Sequence, residues 1–128
     1  MQNQITFIFL ITLYMITTNG EEQIGDPRTN IYSVKTNKEV QNVGKFAVDE
    51  YNLNLEQTPP RPKGAQGGAL VFVAVVEAQK QVVAGWKYYL IIEAMQGGVT
   101  RKFDVEVLSQ SWVHSKPMQL LKFIPSSE

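Results

Sequence analysis

The sequence predicts an α+β fold in which one long helix packs across an antiparallel sheet of four or five strands. Two patterns carry that prediction. Between residues 37 and 54, Val40, Val43, Gly44, Ala47, Val48 and Tyr51 recur at three- and four-residue spacing, which puts them on one helical stripe. From residue 70 onward the chain reads as strands separated by short turns, and no second helical pattern interrupts them. One helix followed by a run of strands is a two-layer arrangement, with the helix on the concave face of the sheet.

At 128 residues with 44% apolar content, the chain suits a single domain with a buried core. Residues 1–20 contain no charged side chain, and Ile5 to Ile16 is an apolar run too short to span a bilayer. Thr18, Asn19 and Gly20 then offer small residues before Glu21. Residues 1–20 are therefore expected to be a signal peptide cleaved after Gly20, and 21–128 the domain, secreted or vacuolar by the secretory pathway. Twelve basic and twelve acidic residues give zero net charge, which argues against a nucleic-acid partner. Without any Cys there are no disulfides, thiolate metal sites or Cys nucleophile.

Each element has a local cause. Residues 21 to 37 are polar, with Gly25, Asp26 and Pro27 against regular structure, although Ile31, Tyr32 and Val34 suit a short strand. Asn37 is placed to cap the helix. Gly44 on the stripe lets the helix approach a sheet closely, at about 1 kcal/mol of helix propensity relative to Ala. Lys38, Glu39, Gln41, Lys45, Asp49, Glu50 and Asn52 are read as mostly the solvated face. Asp49 and Glu50, being adjacent, point about 100° apart and do not form a catalytic pair. Residues 56 to 69 hold three Pro and three Gly and read as a loop. Leu70 to Gln79 is expected to pair with Trp86 to Ala94. Gly97-Gly98 marks a tight turn, and Phe103, Val105 and Val107 alternate with Asp104 and Glu106 as a half-buried strand. Residues 109–117 form a second loop, and Met118 to Ile124 a last strand ended by Pro125.

The connection Gln81-Val82-Val83-Ala84-Gly85 stands out because hairpin tips are usually polar. Gly85 is its natural turn position, since only glycine takes positive φ there at no steric cost. The string resembles the Gln-x-Val-x-Gly loop of the cystatins, protein inhibitors of papain-like cysteine proteases. Val43-Gly44-Lys45-Phe46-Ala47-Val48-Asp49-Glu50-Tyr51-Asn52 is similar to the helix signature of the plant cystatins, and Trp112 follows downstream in the expected order. The resemblance spans residues 23 to 124. It implies a cystatin-like curved sheet and a reversible, competitive, uncleaved inhibitor.

The resemblance further implies that the 81–85 turn, the 109–116 loop and the N-terminal trunk form one wedge. Gly25 would turn the trunk aside, Gln81, Val82, Val83, Ala84 and Gly85 would approach the catalytic pair of a protease, and Trp112 would anchor the far side. One His and scattered acids show no ligand spacing, so no metal is expected, and neither a cofactor nor a membrane partner of the mature form is expected. The implied active form is a monomer, with a domain-swapped dimer through the QVVAG hinge as the inactive one. Two departures imply weaker binding: Ser111 stands where a Pro usually precedes the Trp, and Gly25 stands where members often carry a Gly pair. The chain ends at Glu128, so the legumain-type inhibition linked to a second, C-terminal cystatin-like domain is not expected.

Two other classes remain at this point. One is a non-inhibitory secreted binding or storage module on the same fold. The other is a small hydrolase using Ser111 and His114, disfavoured because no acid is placed to orient the imidazole.

Overall fold

A computed structural model describes residues 26–57 and 68–127. The proposed signal peptide, Gly25 and most of the Pro-Gly loop lie outside the described residues. The elements run β1 (Thr29–Asn30), α1 (Lys38–Gln57), β2 (Leu70–Val83), β3 (Gly85–Gln96), β4 (Val99–Ser109) and β5 (Met118–Pro125). The five strands form one sheet in sequence order, every neighbouring pair antiparallel. The expected architecture therefore holds at the upper of its two strand counts.

α1 begins where its cap dictates. The Asn37 side-chain oxygen accepts from the Val40 N–H at 3.1 Å, and the Asn37 carbonyl accepts from Gln41 N–H at 3.0 Å. The helix runs to Gln57, three residues beyond the expected end. Val40, Val43, Ala47 and Val48 are buried against Val75, Leu90, Ile92, Val105 and Val107 of the sheet. Gly44 has the role its position implied: a Cβ there would meet Val75 and Phe72 of β2. Farther along, Tyr51 stacks on Phe123 at 4.5 Å between centroids, and Phe123 contacts Phe103 at 5.1 Å, tying the C-terminal half of α1 to β4 and β5.

The sheet bends around the helix. The β2–β3 register slips between Phe72 and Ala74 and again between Val75 and Glu77, so Val73 and Val76 are extra residues. Such bulges bend a strand and sharpen its twist, and α1 touches β2, β3, β4 and β5. Tyr88, Leu90, Ile92 and Ala94 alternate inward along β3, as do Phe103, Val105 and Val107 along β4. Gly97 and Gly98 both take positive φ, 60° and 83°, as a primed two-residue turn needs.

Three sequence expectations need correction. The first strand is Thr29–Asn30, paired with Lys80 and Gln79, and not the Ile31–Val34 stretch. Ile31 only donates its N–H to Ala78 O at 2.9 Å, and Val34–Thr36 forms a 3₁₀ turn. Ser33, at φ 53°, turns the chain away from the sheet edge. Secondly, Gln81, Val82 and Val83 belong to β2, so the tip is a single residue, Ala84.

The third correction concerns the helix face read as solvated. Gln41 donates to Val34 O at 2.9 Å and to Val75 O at 3.1 Å, and accepts from Val75 N–H at 3.0 Å. Asn52 likewise donates to Leu70 O at 2.9 Å and accepts from Leu70 N–H at 2.8 Å. The two amides, three helical turns apart, are separated by roughly 16 Å along the helix, which matches about 16 Å from Leu70 to Val75 along the strand. They occupy the edge of β2 that the short β1 leaves unpaired. Glu39 also turns inward, accepting from the buried Tyr88 hydroxyl at 2.7 Å. Burial, and then that bond, push the Tyr88 pKa above its usual value, so it stays a neutral donor. The adjacent acids do diverge: Asp49 pairs with Lys45 and Glu50 with Lys116.

These amides make a strong prediction. Gln41→Leu keeps the side-chain bulk but leaves the part-buried Val75 N–H and carbonyl without partners, while the Val34 carbonyl keeps its bond from Asn37 N–H. At roughly 1–3 kcal/mol for each unsatisfied group, partly offset by water, a loss of about 3 kcal/mol is expected. Urea unfolding of Gln41→Leu beside Lys45→Leu, an exposed site on the same helix, measures it.

Candidate functional site

The site is built at one end of the sheet by two connections and the incoming chain. β2 and β3 stay paired up to Val83 and Gly85, leaving Ala84 alone at the apex. Gly85 takes φ 111°, as expected of the turn glycine. It has a second task that the sequence did not reveal. A Cβ at Gly85 would strike the Ser109 carbonyl and the Gln110 side chain, so the missing side chain lets the first hairpin lie directly against the end of β4.

The two connections are then clasped. Gln110 Nε2 donates to the Ala84 carbonyl at 2.7 Å. Gln110 N–H donates to Pro117 O at 2.7 Å, closing the base of the second loop, and Val113 N–H donates to Gln110 O at 3.0 Å, closing a four-residue turn. Ser111 and Trp112 are the central residues of that turn. Apolar side chains face water here: Trp112 is 59% exposed, Val82 41% and Val83 37%. Val82 and Val83, being consecutive strand residues, project to opposite faces of the hairpin. On the helix side, Lys116 of the loop pairs with Glu50 at 3.2 Å.

The chain entering at Asp26 is held to the same end. Gln81 Nε2 donates to the Asp26 carbonyl at 2.9 Å, while Gln81 Oε1 accepts from the Tyr89 hydroxyl at 2.7 Å. The Arg28 guanidinium lies 3.5 Å from the Tyr89 ring centroid, and Thr29 Oγ1 donates to Lys80 O at 3.3 Å. Gln81, expected as a partner contact, thus also has an internal role as the tie between trunk and hairpin. Gly25, the expected trunk glycine, lies outside the described residues. Val82, Val83, Ala84, Gly85 and Trp112 are brought together as expected. Gln110 and Trp86 belong with them but were not singled out. Their sequence signals were position alone: Gln110 stands two residues before Trp112, and Trp86 directly follows Gly85.

The site offers apolar surface on a rigid frame and little that could do chemistry. Ser111 and His114 are exposed and share no hydrogen bond among the described residues. No group of three or more His, Cys, Asp or Glu side chains suited to a metal ion forms among the described residues. Ser111 sits at the second position of its turn at negative φ, where Pro is favoured. Ser111→Pro is therefore expected to stabilise the fold by roughly 0.4–1 kcal/mol, read as a higher urea midpoint.

Comparison with known proteins adds the family. Residues 31–124 match the family model described as aspartic acid proteinase inhibitor. The chain is 41% identical over 105 residues to cysteine proteinase inhibitor 2 of Arabidopsis thaliana, covering 77% of this chain and 70% of that protein. It is 41% identical over 115 residues to cysteine proteinase inhibitor 10 of Oryza sativa subsp. indica, covering 78% and 71%. Cysteine proteinase inhibitor A of Helianthus annuus is 34% identical over 84 residues, 66% of this chain and 89% of that protein. With one capped helix across a five-stranded sheet and a QVVAG hairpin clasped to a Trp-bearing turn, the chain belongs to the plant cystatin family.

Proposed function

We propose that the chain is a reversible, competitive inhibitor of papain-like cysteine proteases, which inserts the Ala84 apex, the Trp112 turn and the incoming N-terminal chain into the active-site cleft. The observation that carries this reading is the clasp between Gln110 and Ala84, which makes two apolar connections into one rigid edge. A rigid edge loses little conformational entropy on docking, so a modest area suffices for tight binding. With no scissile bond held in register for attack, the wedge blocks the cleft and is not cleaved. Its relatives are named as inhibitors, and the hairpin end supplies contact surface rather than catalytic groups. We place the mature protein, from Glu21, in the secretory pathway as a monomer, with plant defence or control of endogenous proteases as its setting.

A second reading comes from the description of the matched family model, which names aspartic proteinases. Titrating papain and pepsin in parallel with the full chain separates the two. Saturable inhibition of papain, with substrate competing, is the expected result. Inhibition of pepsin alone would transfer the chain to the second reading. Inhibition of neither by folded protein would leave the non-inhibitory binding module.

A further inference from the structure

The apolar surface at the loop end extends past the two connections. Trp86 follows Gly85 and is 41% exposed. It stands two residues before the buried Tyr88 and four before Leu90, so it lies on the helix-side face of β3, beyond the end of the core stripe. Register sets it opposite Val82, which shares that face, and sets Lys80 opposite Tyr88 on the same face. The Lys80 ammonium sits 4.4 Å from the Trp86 ring centroid. Lys80 forms no ion pair among the described residues, whereas Lys87 and Lys116 at the same end are both paired.

We propose that Trp86 and Lys80 form a fourth contact of the wedge, specific for proteases whose cleft presents an apolar wall beside a carboxylate. The inference rests on the inhibitor reading and adds a selectivity element to it. The core has no need of this indole, because Tyr88, Leu90, Ile92 and Ala94 already fill the inward stripe. Together with Val82 it gives a flat apolar face next to the apex. The cation over the ring holds the indole in one orientation before docking, which reduces the entropy lost on binding. The unpaired ammonium at its rim is complementary to a carboxylate and steers approach at low salt.

The test uses the full chain and a panel of papain-like proteases that includes papain, with association and dissociation rates measured separately. Trp86→Ala is expected to speed dissociation at least about tenfold from the best-inhibited protease, with Trp86→Phe recovering part of the loss. Lys80→Gln is expected to slow association at low salt and not at high salt. A chain labelled with 5-fluorotryptophan, its two resonances assigned through Trp112→Phe, is expected to show the Trp86 fluorine shifting in the saturated complex. An unshifted Trp86 resonance, or unchanged rates for a folded Trp86→Ala, overturns the fourth contact while inhibition by the parent chain keeps the inhibitor reading. No inhibition of any protease by the parent chain removes both.

Discussion

Val83→Asp in the full chain is expected to weaken papain inhibition by roughly two to three orders of magnitude while leaving the fold intact. Val83 is the last residue of β2, paired with Gly85, and its side chain is 37% exposed at the tip. A carboxylate there stays hydrated in the free protein, so the hairpin tolerates it. Inside a closed cleft the same group would lose its water without a partner. Burying an unpaired charge costs several kcal/mol, and each 1.4 kcal/mol is tenfold in affinity. Val73→Asp is the matched control, since Val73 is 46% exposed on the same strand but lies at a bulge far from the apex. Equal inhibition by the parent, Val83→Asp and Val73→Asp chains would show that inhibition uses a surface other than the hairpin tip.

What the sequence made legible follows from how local each cause is. The stripe from Val40 to Tyr51 and the alternation from Phe103 to Val107 are one-dimensional patterns, and both elements formed, the helix running three residues past its expected end. Gly85 and the Gly97-Gly98 turn were readable because positive φ is a property of the residue itself. The extension of β2 to Val83 is masked in the sequence by Gly85, which marks a turn, although Val-Val favours strand. Gln41 and Asn52 could not be read at all. A long polar amide on a helix looks solvated until the tertiary fold brings an unpaired strand edge within reach. The same limit hid the Gln81 tie to Asp26 and the Gln110 clasp to Ala84. Of the site, the apolar contacts were therefore visible, and the polar groups that hold them in place were not.

Gly85 is where those two kinds of information meet, and Gly85→Ala is expected to lose both stability and inhibition. At φ 111° any side chain is strained, at roughly 1–3 kcal/mol. The added Cβ would also meet the Ser109 carbonyl, a backbone atom that moves only if β4 moves with it. Relief requires the hairpin to separate from the second loop, which lengthens or breaks the Gln110 bond to Ala84 and splits the rigid edge in two. Gly97→Ala separates the contributions. Gly97 also has positive φ, at 60°, but a Cβ there meets nothing within 4 Å, and it lies at the opposite end of the sheet. Gly97→Ala should therefore cost only about 1 kcal/mol of backbone strain and leave inhibition unchanged. Gly85→Ala should cost at least twice that in urea unfolding and weaken papain inhibition at least about tenfold even when fully folded. If instead folded Gly85→Ala inhibits as well as Gly97→Ala, the close approach of the two connections is not what makes the edge competent. Binding would then rest on the exposed side chains alone, with each loop free to find the cleft by itself.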